Sequence, residues 1–199
     1  MVNKERKINE FWNWFSVNQL NLQSDKISNE NISQLNREIM TMGDFNWEVR
    51  EGNNAKNMLI ISPGGDLNLL SSTKRIIELA PEIEDWEFYY YKPSKKWNYR
   101  LVLNEEMNVK KILDVKNWEY VLYKFSDGTF DIILKTDNLN ELDENQKALI
   151  ADIVLESILG EEQSLKFIKN VEFVDEFNDL DKSKKNPIKF LQEHFAELI

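Results

Sequence analysis

Ser62-Pro63-Gly64-Gly65-Asp66 is the segment of this chain best placed to do chemistry. The apolar run Met58-Leu59-Ile60-Ile61 enters it, and a helical pattern follows. A Gly-Gly turn between a strand and a helix can present backbone N–H groups as a nest for an anion, with Ser62 and Asp66 adding polar contacts. The same residues also make a plain tight connection, the glycines supplying positive φ. Asp66 sets a negative charge where an anion would lie. No phosphate loop G-x-x-x-x-G-K-[ST], dinucleotide turn G-x-G-x-x-G or nucleophile elbow G-x-S-x-G completes the segment. Ser62, Gly64, Gly65 and Asp66 are therefore candidate ligand-binding residues, and no residue is assigned a catalytic role.

Three further groupings carry chemical potential. Asp152 and Glu156 stand four apart in a helical pattern and share one face. They could hold Mg²⁺ or Ca²⁺ with Glu161 or Glu162, or form a solvated ridge paired with Lys or Arg. No EF-hand pattern surrounds them, and no metal site is assigned. Residues 92–100, Lys-Pro-Ser-Lys-Lys-Trp-Asn-Tyr-Arg, are locally basic and aromatic. Such a loop can stack bases or grip phosphates, and it also reads as a hairpin loop with solvated lysines. Finally, Trp14 points away from the Phe11/Phe15 face of its helix, and Tyr89 and Tyr91 alternate with Phe88 and Tyr90 along a strand. Trp14, Tyr89 and Tyr91 are the candidate interaction residues: Trp14 for a second contact within the chain or with another chain, Tyr89 and Tyr91 as an exposed aromatic strip on a sheet face left open by the helices.

Composition removes whole classes of chemistry. The 199 residues contain no cysteine and one histidine, His194. Disulfides, thiolate nucleophiles, Cys-ligated zinc and iron–sulfur clusters are excluded, and a His-rich metal site cannot be built within one chain. Catalysis would rest on carboxylates, Lys, Tyr or an oxygen-ligated metal. No cofactor is implied. The net charge of -10 argues against nucleic acid as a partner. No run approaches the ~18 apolar residues of a membrane helix, and the N-terminus has no signal-type apolar region. The expectation is a cytoplasmic protein without a membrane partner, its oligomeric state open.

The elements that position these groups follow from periodicity. Residues 4–23 and 30–42 read as helices forming an antiparallel hairpin, the second capped by Ser28 or Asn29. Strands are expected at 45–51, 58–61, 86–91, 99–103 and 108–113, with a helix at 71–79. Ser126-Asp127-Gly128 joins strands 118–125 and 129–135 as a hairpin. A buried helix spans 144–159 between Asp143 and Gly160, with Leu149, Ile150, Ile153, Val154 and Ile158 as its stripe. A short helical turn, a strand at 171–174, a polar connector and a C-terminal helix starting near Pro187 complete the chain. The fold class is α+β: a mainly antiparallel sheet of five to seven strands, an N-terminal helical hairpin, and helices on one face. The whole chain, 1–199, reads as a single domain.

The set Phe11-Trp12-x-Trp14-Phe15, Ile61-Ser62-Pro63-Gly64-Gly65-Asp66, Ala80-Pro81…Trp86…Lys92-Pro93 and Leu159-Gly160-Glu161 resembles a family of uncharacterised small bacterial proteins. That resemblance implies a compact bacterial domain and carries no activity. Function is read as non-enzymatic: an acidic protein-interaction or regulatory protein, an immunity-like role among them. The alternative is an enzyme or small-ligand binder at the 62–66 turn.

Overall fold

The computed structural model describes residues 2–103 and 111–199. They gather into two compact units, one up to Lys92 and the other from Pro93 to Ile199. The architecture is α+β, with six helices and nine strands in three sheets among the described residues.

The first unit opens with α1 (Val2–Asn18) and α2 (Asn29–Met42). The Ser28 hydroxyl caps α2 by accepting from the Asn31 N–H. Lys7 of α1 donates to the Thr41 carbonyl at 2.9 Å, and Asn31 of α2 donates to the Asn21 carbonyl at 3.0 Å. Lys7 of α1 therefore lies beside the last turn of α2, and the start of α2 lies beside the 3-10 turn Gln19–Asn21 that follows α1.

Next come β1 (Asn46–Glu51), β2 (Asn57–Ser62), α3 (Leu70–Glu78) and β3 (Trp86–Tyr89). They form a sheet ordered β1-β2-β3. β1 and β2 are antiparallel; β2 and β3 are parallel, because α3 carries the chain back before β3 begins. One face presents Trp47, Val49, Leu59, Ile61, Trp86 and Phe88 to Phe11, Trp12 and Phe15 of α1 and to Ile76 of α3. Edge-to-face ring contacts dominate there: Phe15 lies 4.9 Å from Trp86, and Trp12 lies 4.8 Å from Phe88. The Trp12 indole also donates to the Ile76 carbonyl at 2.9 Å, which ties α1 to α3.

The second unit holds β4 (Arg100–Leu103) and β5 (Lys111–Asp114) as a two-stranded antiparallel ribbon. The part of the expected fifth strand over residues 108–110 lies outside the described residues. β6 (Glu119–Lys124) and β7 (Phe130–Lys135) form the expected Asp-Gly hairpin. β8 (Ile168–Val174) joins parallel to β7, and the two-residue β9 (Asn186–Pro187) joins antiparallel to β6. The order is β8-β7-β6-β9.

α4 (Glu144–Leu159) and α5 (Glu161–Phe167) connect β7 to β8, and α6 (Leu191–Leu198) closes the chain. α4 opens with a reciprocal capping box between Asp143 and Gln146. Ile150, Val154, Leu155 and Ile158 of α4 and Leu191 and Phe195 of α6 pack on Tyr120, Phe130, Ile132 and Leu134. The opposite face, with Val121 and Tyr123, is crossed by the 175–185 connector. Its Asp181 is buried and accepts from the Tyr123 hydroxyl and from the Asn178 amide.

Several expectations need correcting. The strands do not make one sheet of five to seven but nine strands in three sheets, and two of the pairs are parallel. Both parallel pairs are joined through helices, a crossover that strand periodicity alone does not reveal. β3 ends at Tyr89, so Tyr90 and Tyr91 leave the strand. Leu149 is 46% exposed and does not belong to the buried stripe of α4. Pro187 lies in β9 rather than in the first turn of the last helix.

Candidate functional site

The 62–66 turn sits where the pattern placed it, between β2 and the 3-10 turn Leu67–Leu69 that leads into α3. Gly64 and Gly65 adopt φ of 62° and 89°. The Gly64 N–H donates to the Ser62 hydroxyl at 3.0 Å, and the Asp66 N–H donates to the Pro63 carbonyl at 3.2 Å. The Asp66 carboxylate accepts from the Asn68 backbone and amide, both at 2.9 Å, and so caps the turn that follows. Ser62 is fully buried. The groups named for a ligand here thus make local contacts that shape the connection.

Trp14 and Tyr89 face opposite sides of the first-unit sheet. Trp14 is partly buried against the first-unit core, 6.3 Å from Phe11. Tyr89 pairs with Ile60 and points to the other face of the sheet, where Met58 and Ile60 are fully buried. Its ring meets that of Tyr91 edge-on at 6.4 Å, and Tyr91 meets Tyr90 at 4.7 Å. All three tyrosines are half-buried.

Asp152 lies on the solvent side of α4, and its carboxyl is nevertheless pushed above the usual range by partial burial. Among the described residues, no three His, Asp or Glu side chains converge to hold a metal ion. No helix among them is long and apolar enough to cross a membrane. His194, the single histidine, lies with Nδ1 2.9 Å from the hydroxyl of Tyr120. Burial pushes that phenol up to about 12.

Two clefts stand out that periodicity did not foresee as sites. In the first unit, an open groove of about 730 Å³ runs beside β3. Ile77, Ile83, Trp86 and Phe88 line it with apolar surface, and the exposed Glu82 and Glu84 line it from the loop before β3. The loop that carries Glu82 and Glu84 is anchored at Asp85, whose φ is 67° and whose carbonyl accepts from the Asn57 N–H at 2.8 Å. Glu87 receives the backbone N–H groups of Asn53 and Asn54. In the second unit, a cleft of about 530 Å³ is lined by Lys95, Lys96, Trp97, Asn98, Tyr99, Ile158 and Gln192. The basic and aromatic composition of that loop was visible in the sequence; its closure against α4 and α6 was not.

No family model matches the chain, and neither a curated protein nor a solved structure matches it.

Proposed function

We propose that this chain is a non-catalytic interaction protein that binds a basic, extended segment of another protein along β3. The observation that carries this reading is the groove beside that strand, lined by the apolar Ile77, Ile83, Trp86 and Phe88 and by the exposed carboxylates of Glu82 and Glu84. An apolar centre with a charged rim is how interfaces combine affinity with partner choice. β3 also ends the order of its sheet, so an extended segment can lie along it. A segment in that position reaches side chains of both faces, Tyr89 on one and Phe88 on the other. Tyr91 extends the aromatic contact beyond the strand. The net charge of -10 favours the approach of a cationic partner.

The test is titration of the intact chain with a panel of synthetic peptides in which Lys and Arg alternate with apolar residues. Binding should weaken about tenfold in the double reversal Glu82→Lys/Glu84→Lys, and again on raising salt, because both charges are exposed. Ile83→Ser should weaken it independently of salt. If no peptide binds, or if the charge reversal leaves binding unchanged, the groove is not the interaction site.

A further inference from the structure

We propose that the second unit carries a binding site for a small planar anion of the mononucleotide class, in the cleft between residues 95–99, the end of α4 and the start of α6. Its volume of about 530 Å³ lies within the ~300–1,000 Å³ typical of small-molecule pockets. Ile158, only 4% exposed, contributes an apolar wall. Trp97 and Tyr99 are half-buried, with ring centroids 5.2 Å apart and planes tilted by 34°. Both rings line the cleft while packing on the second core, and an aromatic lining of this kind gives a flat ring a surface to stack on. Lys95 and Lys96 are exposed beside them, and among the described residues neither ammonium has an ion-pair partner. Asn98 adds an amide at the cleft for the polar edge of the ring.

The loop is held in place before any ligand arrives. The Lys95 N–H donates to the Ser157 carbonyl at 2.8 Å, and the Gln192 amide donates to the Ser94 hydroxyl at 3.1 Å. At the other end, the Tyr99 carbonyl accepts from the Val115 N–H at 2.8 Å. Tyr99 itself has a φ of 60°, a left-handed conformation that bulky residues rarely adopt. A backbone outlier of this kind persists only where its surroundings impose it, and such outliers cluster at binding sites. Three anchoring hydrogen bonds and a constrained aromatic give a preorganised surface, which lowers the ordering cost of binding.

Charge selects the size of the ligand. A polynucleotide brings many phosphates against a chain of net charge -10, and each added phosphate meets that repulsion. A mononucleotide brings one phosphate, which sits near the two ammonium groups. More distant carboxylates are screened beyond about 8–10 Å at physiological salt. One ring on the aromatic surface and one phosphate at Lys95 and Lys96 is the combination that fits.

Calorimetric titration of the intact chain with AMP tests this. Adenosine, inorganic phosphate and single-stranded oligo(dA) serve as comparison ligands. AMP should bind about tenfold tighter than adenosine or phosphate alone, since stacking and charge contribute separately. The double variant Lys95→Glu/Lys96→Glu alters exposed side chains only and should keep the native circular dichroism while losing at least about tenfold in AMP affinity. Trp97→Leu should weaken AMP and leave phosphate unchanged; should that variant fail to fold, the lysine variant decides. The proposal is overturned if AMP produces no heat up to millimolar concentration, or if phosphate or adenosine binds as well as AMP. It is equally overturned if the lysine variant binds normally, or if oligo(dA) binds more tightly than AMP. Because this cleft and the β3 groove lie in different units, with ligands of opposite charge, either assignment can fail alone.

Discussion

Tyr120 concentrates the ionisation chemistry of the second core in one phenol. It is fully buried and points its hydroxyl at His194 Nδ1, and burial alone accounts for its raised pKa. The sign of the pH effect follows from which state holds the proton. Unfolded, the phenol ionises near 10; folded, near 12. Below about pH 10 both states keep the proton and this group adds no pH dependence. Between the two values the unfolded chain releases a proton that the folded chain retains, so stability falls as pH rises, by up to about 3 kcal/mol in all. Denaturant melts of the native chain and of Tyr120→Phe across pH 9–12 check this. The Phe variant should show a flatter profile in that window, and parallel profiles would remove Tyr120 as the cause. Other residues perform quieter electrostatic work. The Asp114 carboxyl is held below the ordinary range, first by the Lys116 N–H and then by the Arg100 guanidinium, and so helps to fix the Arg100/Asp114 end of the β4-β5 ribbon.

At the scale of elements, two turns contrast instructively. Gly128 closes the β6-β7 hairpin at a φ of 82°, and a Cβ there would meet no atom within 4 Å. Gly64 closes the β2 turn at a φ of 62°, but a Cβ there would lie 2.7 Å from the Asn46 amide. Gly128→Ala should therefore lose only the backbone preference, about 1 kcal/mol. Gly64→Ala should lose more, because Asn46 at the start of β1 must also move. Thermal melts of the two variants give the comparison, and equal losses would show that Asn46 yields without cost. The β2 turn is thus specified by packing against its own sheet as well as by backbone geometry.

For the whole molecule, the decisive property is cooperativity. Each unit has its own buried cluster, one around Phe15 and Leu59 and the other around Phe130 and Phe195. We propose that the chain nevertheless unfolds as a single domain. Calorimetry, far-ultraviolet circular dichroism and tryptophan fluorescence should then report one coincident transition. Trp12, Trp14, Trp47 and Trp86 lie in the first unit and Trp97 and Trp118 in the second, so fluorescence of single-tryptophan variants separates the two. Two transitions with different midpoints would replace the single-domain reading by two independently folding halves.

What the sequence determined by itself is local. The span of α4, a cap of α2 at Ser28 or Asn29, the Asp-Gly hairpin and the aromatic face of α1 all follow from side-chain periodicity and turn chemistry within a few residues. These signals are strong because cap, turn and apolar stripe are satisfied by near neighbours in the chain. Tertiary structure decided what depends on distant partners. The parallel pairing of β2 with β3 and of β7 with β8 is set by where a crossover helix docks, which no local spacing encodes. The separation of Trp14 from Tyr89 across the sheet has the same origin, as does the exposure of Leu149 next to the buried Ile150. The sites followed the same division. The composition of residues 95–99 was legible, but a loop becomes a cleft only when Ile158 and Gln192 close it from elements about 60 and 95 residues away, and concavity is a property of packing rather than of order along the chain.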